Sequence, residues 1–252
     1  MTQKDALFNY TLRLADDALI LGHRLGEWCS KAPILEEDLA LTNIALDMIG
    51  RAESLLRYAA QVEALGHSED DLAYRRAERK FYNHLLTEQP NGDFAQTMVR
   101  QLFISNFEQL LYTELMKSSD ATIAAIAGKA IKEINYHCRH AKDWCIRLGD
   151  GTAESRDRMQ KAIETLWMYT GELFEADETD EWMQEAGIAP DLKSLAGPWK
   201  TAIMDVLSEA TLSLPDAHYM QTGSKKGIHS EHLGYILAEM QYLQRAYPDA
   251  KW

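Results

Sequence analysis

Two short strings place metal-ligand residue types at metal-ligand spacing: Asp47-Met48-Ile49-Gly50 and Ile134-Asn135-Tyr136-His137. Residues three apart share one face of a helix, so a carboxylate and an imidazole spaced as Glu-x-x-His can reach the same metal pair. Di-iron centres in helical bundles use two such strings on two core helices and one carboxylate from each of the other two. Here each string lacks one ligand. The first keeps an acid but carries Gly50 where the imidazole would stand. The second keeps His137 but has Ile134 at the carboxylate position, and isoleucine neither binds iron nor offsets its charge. The matching acids would be Asp16 or Asp17 on the first helix and Glu108 on the third, so the degenerate positions are Asp17, Asp47, Gly50, Glu108, Ile134 and His137. No complete di-iron site is expected.

Other groupings carry two readings each. Asn43 and Asp47 fall four apart on an apolar helix, LALTNIALDMIG over residues 39–50, which predicts that Asp47 is at least partly buried and has a partner, either a neighbouring side chain or a metal. Glu133, His137 and His140 lie at spacings of four and three, which suits a mononuclear metal. Lys129, Lys132, Arg139 and Lys142 crowd the same helix, and a surface ladder of opposite charges explains the pattern equally. His229-Ser230-Glu231-His232 reads as a metal string or as an ordinary helix N-terminus after a glycine-rich loop. Arg75, Arg76, Arg79 and Lys80 cluster beside Phe81 and Tyr82, and Lys225-Lys226 precede a helix start. Cations, free amides and aromatic faces suit a nucleotide-bearing ligand such as a coenzyme A thioester, with Arg76, Arg79, Lys80, Lys225 and Lys226 as its contacts. Solvated charge, or docking on an acidic partner, is the alternative.

Helices must position all of these residues. Apolar residues at three and four spacing predict a first helix over about Asp5 to Cys29, ended by Pro33, and a second over about Ile34 to Leu65, with Glu36, Glu37 and Asp38 at the positive end of its dipole. A polar hinge over His67 to Asp71 then leads to a short helix near Tyr74 to Leu86. Gln89-Pro90-Asn91-Gly92 is turn chemistry. Long helices follow over about Asp93 to Lys117 and Ala121 to Leu148, joined by the capping residues Ser118-Ser119-Asp120 and so expected to be antiparallel neighbours. A further helix spans about Glu154 to Phe174, the acidic run Glu175 to Glu185 reads as a solvated face, and shorter helices lie near Trp199 to Leu212 and His229 to Tyr247. No strand-like alternation and no repeat competes with this reading. The expected fold is all-α, a ferritin-like four-helix bundle with additional C-terminal helices, in a single domain over residues 1–252.

Composition narrows the function classes. The formal charge of −13 argues against nonspecific nucleic-acid binding, which needs a basic face. No apolar run approaches the roughly 20 residues that span a bilayer, and the N-terminal residues lack the pattern of a secretory leader. The three cysteines, Cys29, Cys138 and Cys145, are odd in number and read as reduced thiols of a cytoplasmic protein.

The strings RLGEWC (24–29), LALTNIALDMIG (39–50), TEQPNGDF (87–94), KKGIHSEHLG (225–234) and AEMQYLQR (238–245) together resemble the structural C subunits of the multicomponent ring-1,2-phenylacetyl-CoA epoxidases of bacterial phenylacetate degradation. The resemblance covers nearly the whole chain. It implies a ferritin-like bundle with no cofactor of its own, partnered with a homologous catalytic A subunit that carries the di-iron centre. A reductase and small subunits would complete the complex. On this reading the assembly uses O₂ and reducing equivalents to epoxidise the ring of phenylacetyl-CoA. The chain would stabilise the catalytic subunit, help shape the thioester site and perform no oxygen chemistry itself. Helices one and two, with their long apolar stretches, are the expected contact surface. The alternatives are a self-sufficient di-iron oxidoreductase using Asp17, Asp47, Glu108 and His137, and a helical scaffold that touches no ligand.

Overall fold

The computed structural model describes residues 2–248 and 250. Every regular element among them is helical. In chain order the α-helices are α1 (Gln3–Gly26), α2 (Leu35–Glu63), α3 (Glu69–Tyr74), α4 (Leu85–Glu88), α5 (Phe94–Leu115), α6 (Ala121–Gly149), α7 (Ala153–Leu166), α8 (Glu178–Glu185), α9 (Leu192–Glu209), α10 (Glu231–Met240) and α11 (Tyr242–Ala246). Short 3₁₀ turns occupy Glu78–Lys80, Trp167–Tyr169, Gly171–Phe174 and Ser224–Lys226. No helix is long and apolar enough to cross a membrane among the described residues.

The chain divides into two compact units. One comprises the described residues up to Pro90 together with those from Gly223 onward, and the other is Asn91–Thr222.

In the first unit α1 is capped by Thr2, whose hydroxyl accepts from the Asp5 amide while Asp5 reaches back, closing a capping box. From residue 10 to residue 22 this helix is buried on every side, the condition of a core helix with no solvent face. Gly22 permits the close approach of α2: a Cβ there would stand 3.0 Å from Ile49 Cγ1 and 3.3 Å from the Ala45 carbonyl oxygen. The segment expected as a hinge followed by one short helix is built differently. Ser68 and Asp71 form a capping box, so α3 starts inside the supposed hinge. It stops at Tyr74, and a 3₁₀ turn and α4 replace the helix expected near Tyr74 to Leu86. The cause is tertiary: the amides of Tyr82 and His84 turn away to carboxylates on α1, at 2.9 and 2.7 Å.

In the second unit Asp93 and Asp120 cap α5 and α6 through their carboxylates. The core holds Phe103, Phe107, Trp167, Phe174 and Trp199, with ring centroids 5.3–6.0 Å apart in the closest pairs. The Trp199 indole donates to the Phe103 carbonyl at 2.9 Å, so its polar edge is satisfied. Three expectations change here: the helix expected over about Glu154 to Phe174 stops at Leu166 and gives way to two 3₁₀ turns. The acidic run is not simply a solvated face: Asp177 and Asp180 box the start of α8, which buries Thr179 and Met183. The ninth helix begins at Leu192, ahead of Trp199, and carries Pro198 within it.

Candidate functional site

Burying acids in α1 obliges the fold to supply partners, because an unpaired carboxylate in an apolar surrounding is strongly disfavoured. The first unit meets this with three linked centres. Asp16, fully buried, accepts from Arg76 Nη1 at 3.0 Å, from Arg76 Nη2, and from the Tyr82 amide at 2.9 Å. Burial pushes its carboxyl up from the usual range, and the Arg76 guanidinium opposes that push. Asp17 accepts from the His84 amide at 2.7 Å with one oxygen and faces His84 Nδ1 at 2.8 Å with the other. Glu88 forms the third centre. One oxygen accepts from Asn83 Nδ2 at 3.0 Å and meets His229 Nδ1 at 2.8 Å, and the other accepts from the Ser230 amide at 2.6 Å. The Glu88 carbonyl accepts from Arg24 Nε and Nη2 at 3.1 and 2.8 Å.

His229 has a dictated protonation state. Its Nε2 lies 2.8 Å from the Phe81 carbonyl, which can only accept, so Nε2 carries a proton. An ionised Glu88 then requires a proton on Nδ1 as well, and the ring is an imidazolium. Burial alone would lower its affinity for that proton. The hydrogen bond and charge of Glu88, with the Phe81 carbonyl, outweigh burial and hold His229 above its ordinary value. This pair ties the loop ahead of α10 to α4.

The residues expected as degenerate iron positions can be placed one by one. Asp17 has both oxygens engaged by His84 as above. Asp47 is half-buried on α2 and engaged within the protein. Gly50 is also half-buried, and a Cβ added there meets nothing within 4 Å, so packing does not demand glycine at this position. In the second unit Glu108 lies buried on α5, and Ile134 and His137 are buried on α6. Glu108 and His137 each have partners within the protein. Beside them burial pushes the Cys138 thiol up to about 11, with the charge of Glu108 adding and the Ser105 hydroxyl opposing. Among the described residues no group of three or more His, Cys, Asp or Glu side chains is arranged to hold a metal ion, which includes Glu133, His137 and His140 on α6 and the His229–His232 string.

The two basic clusters, distant in sequence, meet in the first unit. Gly227, at φ +67°, sits so close to the turn Glu78–Lys80 that a Cβ would stand 2.2 Å from the Arg79 carbonyl oxygen. That contact sets the loop of Lys225 and Lys226 against the backbone of Arg79. Arg79, Lys80 and Lys226 are exposed. Arg76 points the other way. Its donors go to Asp16, the Leu72 carbonyl and the Lys80 carbonyl at 2.7 Å, and its guanidinium lies 4.1 Å from the centre of the Phe81 ring. It holds the turn from beneath, which leaves little of it for an external phosphate. Alongside runs a groove of about 600 Å³ lined by Glu78, Gly234, Leu237, Gln241, Tyr242 and Arg245.

The residues that sequence reading passed over are Asn83, His84 and Glu88. The signal for them was indirect: two adjacent acids in an apolar helix had to be matched by donors elsewhere in the chain.

A family model described as phenylacetic acid catabolic protein matches residues 1–252. Among curated proteins, the C subunit of the 1,2-phenylacetyl-CoA epoxidase of Escherichia coli (strain K12) is 52% identical over 243 residues, covering 96% of this chain and 98% of that protein.

Proposed function

The chain belongs to the phenylacetic acid catabolic protein family, and from that membership we propose that it is the non-catalytic structural subunit of a cytoplasmic di-iron monooxygenase acting on the ring of phenylacetyl-CoA. The observation that carries the reading is Ile134. It is fully buried on α6, a hydrocarbon at the position where a bridging carboxylate would have to stand. Gly50 offers no ligand atom, and Asp17 is held by His84. The residues present do not fit a di-iron pair, so no oxygen step is assigned to this chain. The iron belongs, on this reading, to a homologous catalytic subunit of ferritin-like fold, with a reductase and small subunits completing the assembly. The all-helical architecture of this chain is compatible with a ferritin-like bundle of its own.

What the chain's residues supply is position and charge. The networks centred on Asp16, Asp17 and Glu88 lock α1, the turn Glu78–Lys80 and the loop ahead of α10 into one arrangement. That arrangement presents Arg79, Lys80, Lys225 and Lys226 on a chain whose formal net charge is −13. Cations so gathered suit the phosphates of a coenzyme A thioester, and contribute binding far from the reacting ring.

Reconstitution tests the proposal. The purified chain alone is expected to show no O₂ consumption with phenylacetyl-CoA and reductant. Addition of it to the homologous di-iron subunit and reductase is expected to raise turnover. Turnover by the isolated chain with reductase would favour a self-sufficient oxidoreductase instead.

A further inference from the structure

Gln101 is a polar side chain to which the second unit gives no answer. It is 1% exposed on α5, and among the described residues neither its Oε1 nor its Nε2 has a hydrogen-bond partner. Buried amides are almost always satisfied by protein or by ordered water, because burial unpaired forfeits a hydrogen bond at each end. Four contacts fix what α6 sets against it. The Phe94 and Trp144 rings meet edge-on with centroids 5.1 Å apart, and the Cys145 thiol donates to the Met98 carbonyl at 3.6 Å. Ser105 hydrogen-bonds Cys138, and Gln109 Nε2 donates to Asn135 Oδ1 at 2.7 Å. On antiparallel helices so pinned, Gln101, between Met98 and Ser105, comes level with Ala141, between Cys145 and Cys138. Cys138, Ala141 and Cys145 follow at spacings of three and four, all buried and none of them large. An unpaired amide thus stands against the small residues of the facing helix.

We propose that a polar pocket between α5 and α6, bounded by Gln101, Ser105, Cys138, Ala141 and Cys145, binds internal water held by the Gln101 amide. The lining selects that ligand. Water donates to Oε1 and accepts from Nε2, which no apolar molecule can do, and it fits beside a methyl group where a larger polar molecule would displace side chains. The protein's own donors are committed elsewhere: the Ser105 hydroxyl donates to the main-chain carbonyl of Gln101 at 2.5 Å, and the Cys145 thiol to that of Met98. The hydroxyl oxygen and the thiol sulfurs remain as acceptors, so water finds the two to four partners that ordinarily hold it in an interior. Glu108, two turns along α5 and close enough for its charge to act on Cys138, disfavours an anion. A cation is set aside because no group of three or more ligating side chains gathers among the described residues.

Magnetic relaxation dispersion of water on the purified full chain counts long-lived internal waters and tests the pocket in three proteins. Gln101→Met removes the amide while keeping its length, and Ala141→Val fills the space while keeping the amide. Wild type should hold at least one more long-lived water than either variant. A high-resolution crystal structure of wild type should show that water about 2.7–3.2 Å from Gln101 Oε1 or Nε2. Equal counts in the three folded proteins would overturn the proposal. A count lowered by Gln101→Met but not by Ala141→Val would overturn the placing of the pocket opposite Ala141. If a variant fails to fold, the wild-type crystal structure decides by itself: water density on the amide supports the pocket, and an amide bonded at both ends to protein groups refutes it.

Discussion

His229 is the side chain whose neighbours leave it least choice. The Phe81 carbonyl takes one ring proton and Glu88 the other, so the fold selects the charged ring against the tendency of burial to discharge it. The sign of the pH dependence follows. A histidine whose folded value is raised contributes its full stabilisation below the unfolded value of about 6.5, and loses it as pH rises through the folded value. The stability gap between wild type and His229→Gln in urea unfolding should therefore be widest near pH 6 and narrower at about pH 9. A gap independent of pH would show a neutral ring. Glu88→Gln removes the counter-charge while keeping the shape, and should lower stability by about 3 kcal/mol, the range for leaving one partner of a buried pair alone. Denaturant midpoints measure it, and a loss below about 1 kcal/mol would mean the pair is not ionised.

At the scale of elements, Gly50 is a helical residue that neither φ nor packing requires. Gly50→Ala should raise stability by about 0.5–1 kcal/mol, the propensity difference inside a helix, and calorimetry will show a decrease if the position instead serves a close contact. The basic turn makes a different prediction. Arg79→Ala and Lys226→Ala should raise KM for the thioester in the assembled complex by about tenfold or more with kcat nearly preserved, because phosphate contacts give uniform binding. An unchanged KM at low salt would return these residues to solvated surface. The long helices α1, α2, α5 and α6 were legible in the sequence because apolar-rich stretches run for many turns without strand-like alternation, between turn and capping residues. The segment from Gly66 to Gln89 was not, since its local signals are overridden by backbone amides that leave the helical path for Asp16 and Asp17. The same long-range pairing hid His84 and Glu88, whereas the meeting of Arg79 with Lys225-Lys226 depended on Gly227, a glycine whose close approach no pattern announced.

For the whole molecule, we propose a helical frame of di-iron type whose polar positions have passed to structure. Asp17 serves His84, Arg76 serves Asp16, and α6 buries Ile134 where the proposed reading would need a ligand. A net negative charge, exposed leucines on α2 and a local basic turn then suit a protein that works by contact. Metal analysis of the purified chain after anaerobic loading with ferrous iron and desalting tests this most directly. The account predicts iron far below one atom per chain, with no absorption band of an oxo-bridged pair after exposure to air. About two iron atoms retained per chain, with such a band, would contradict it.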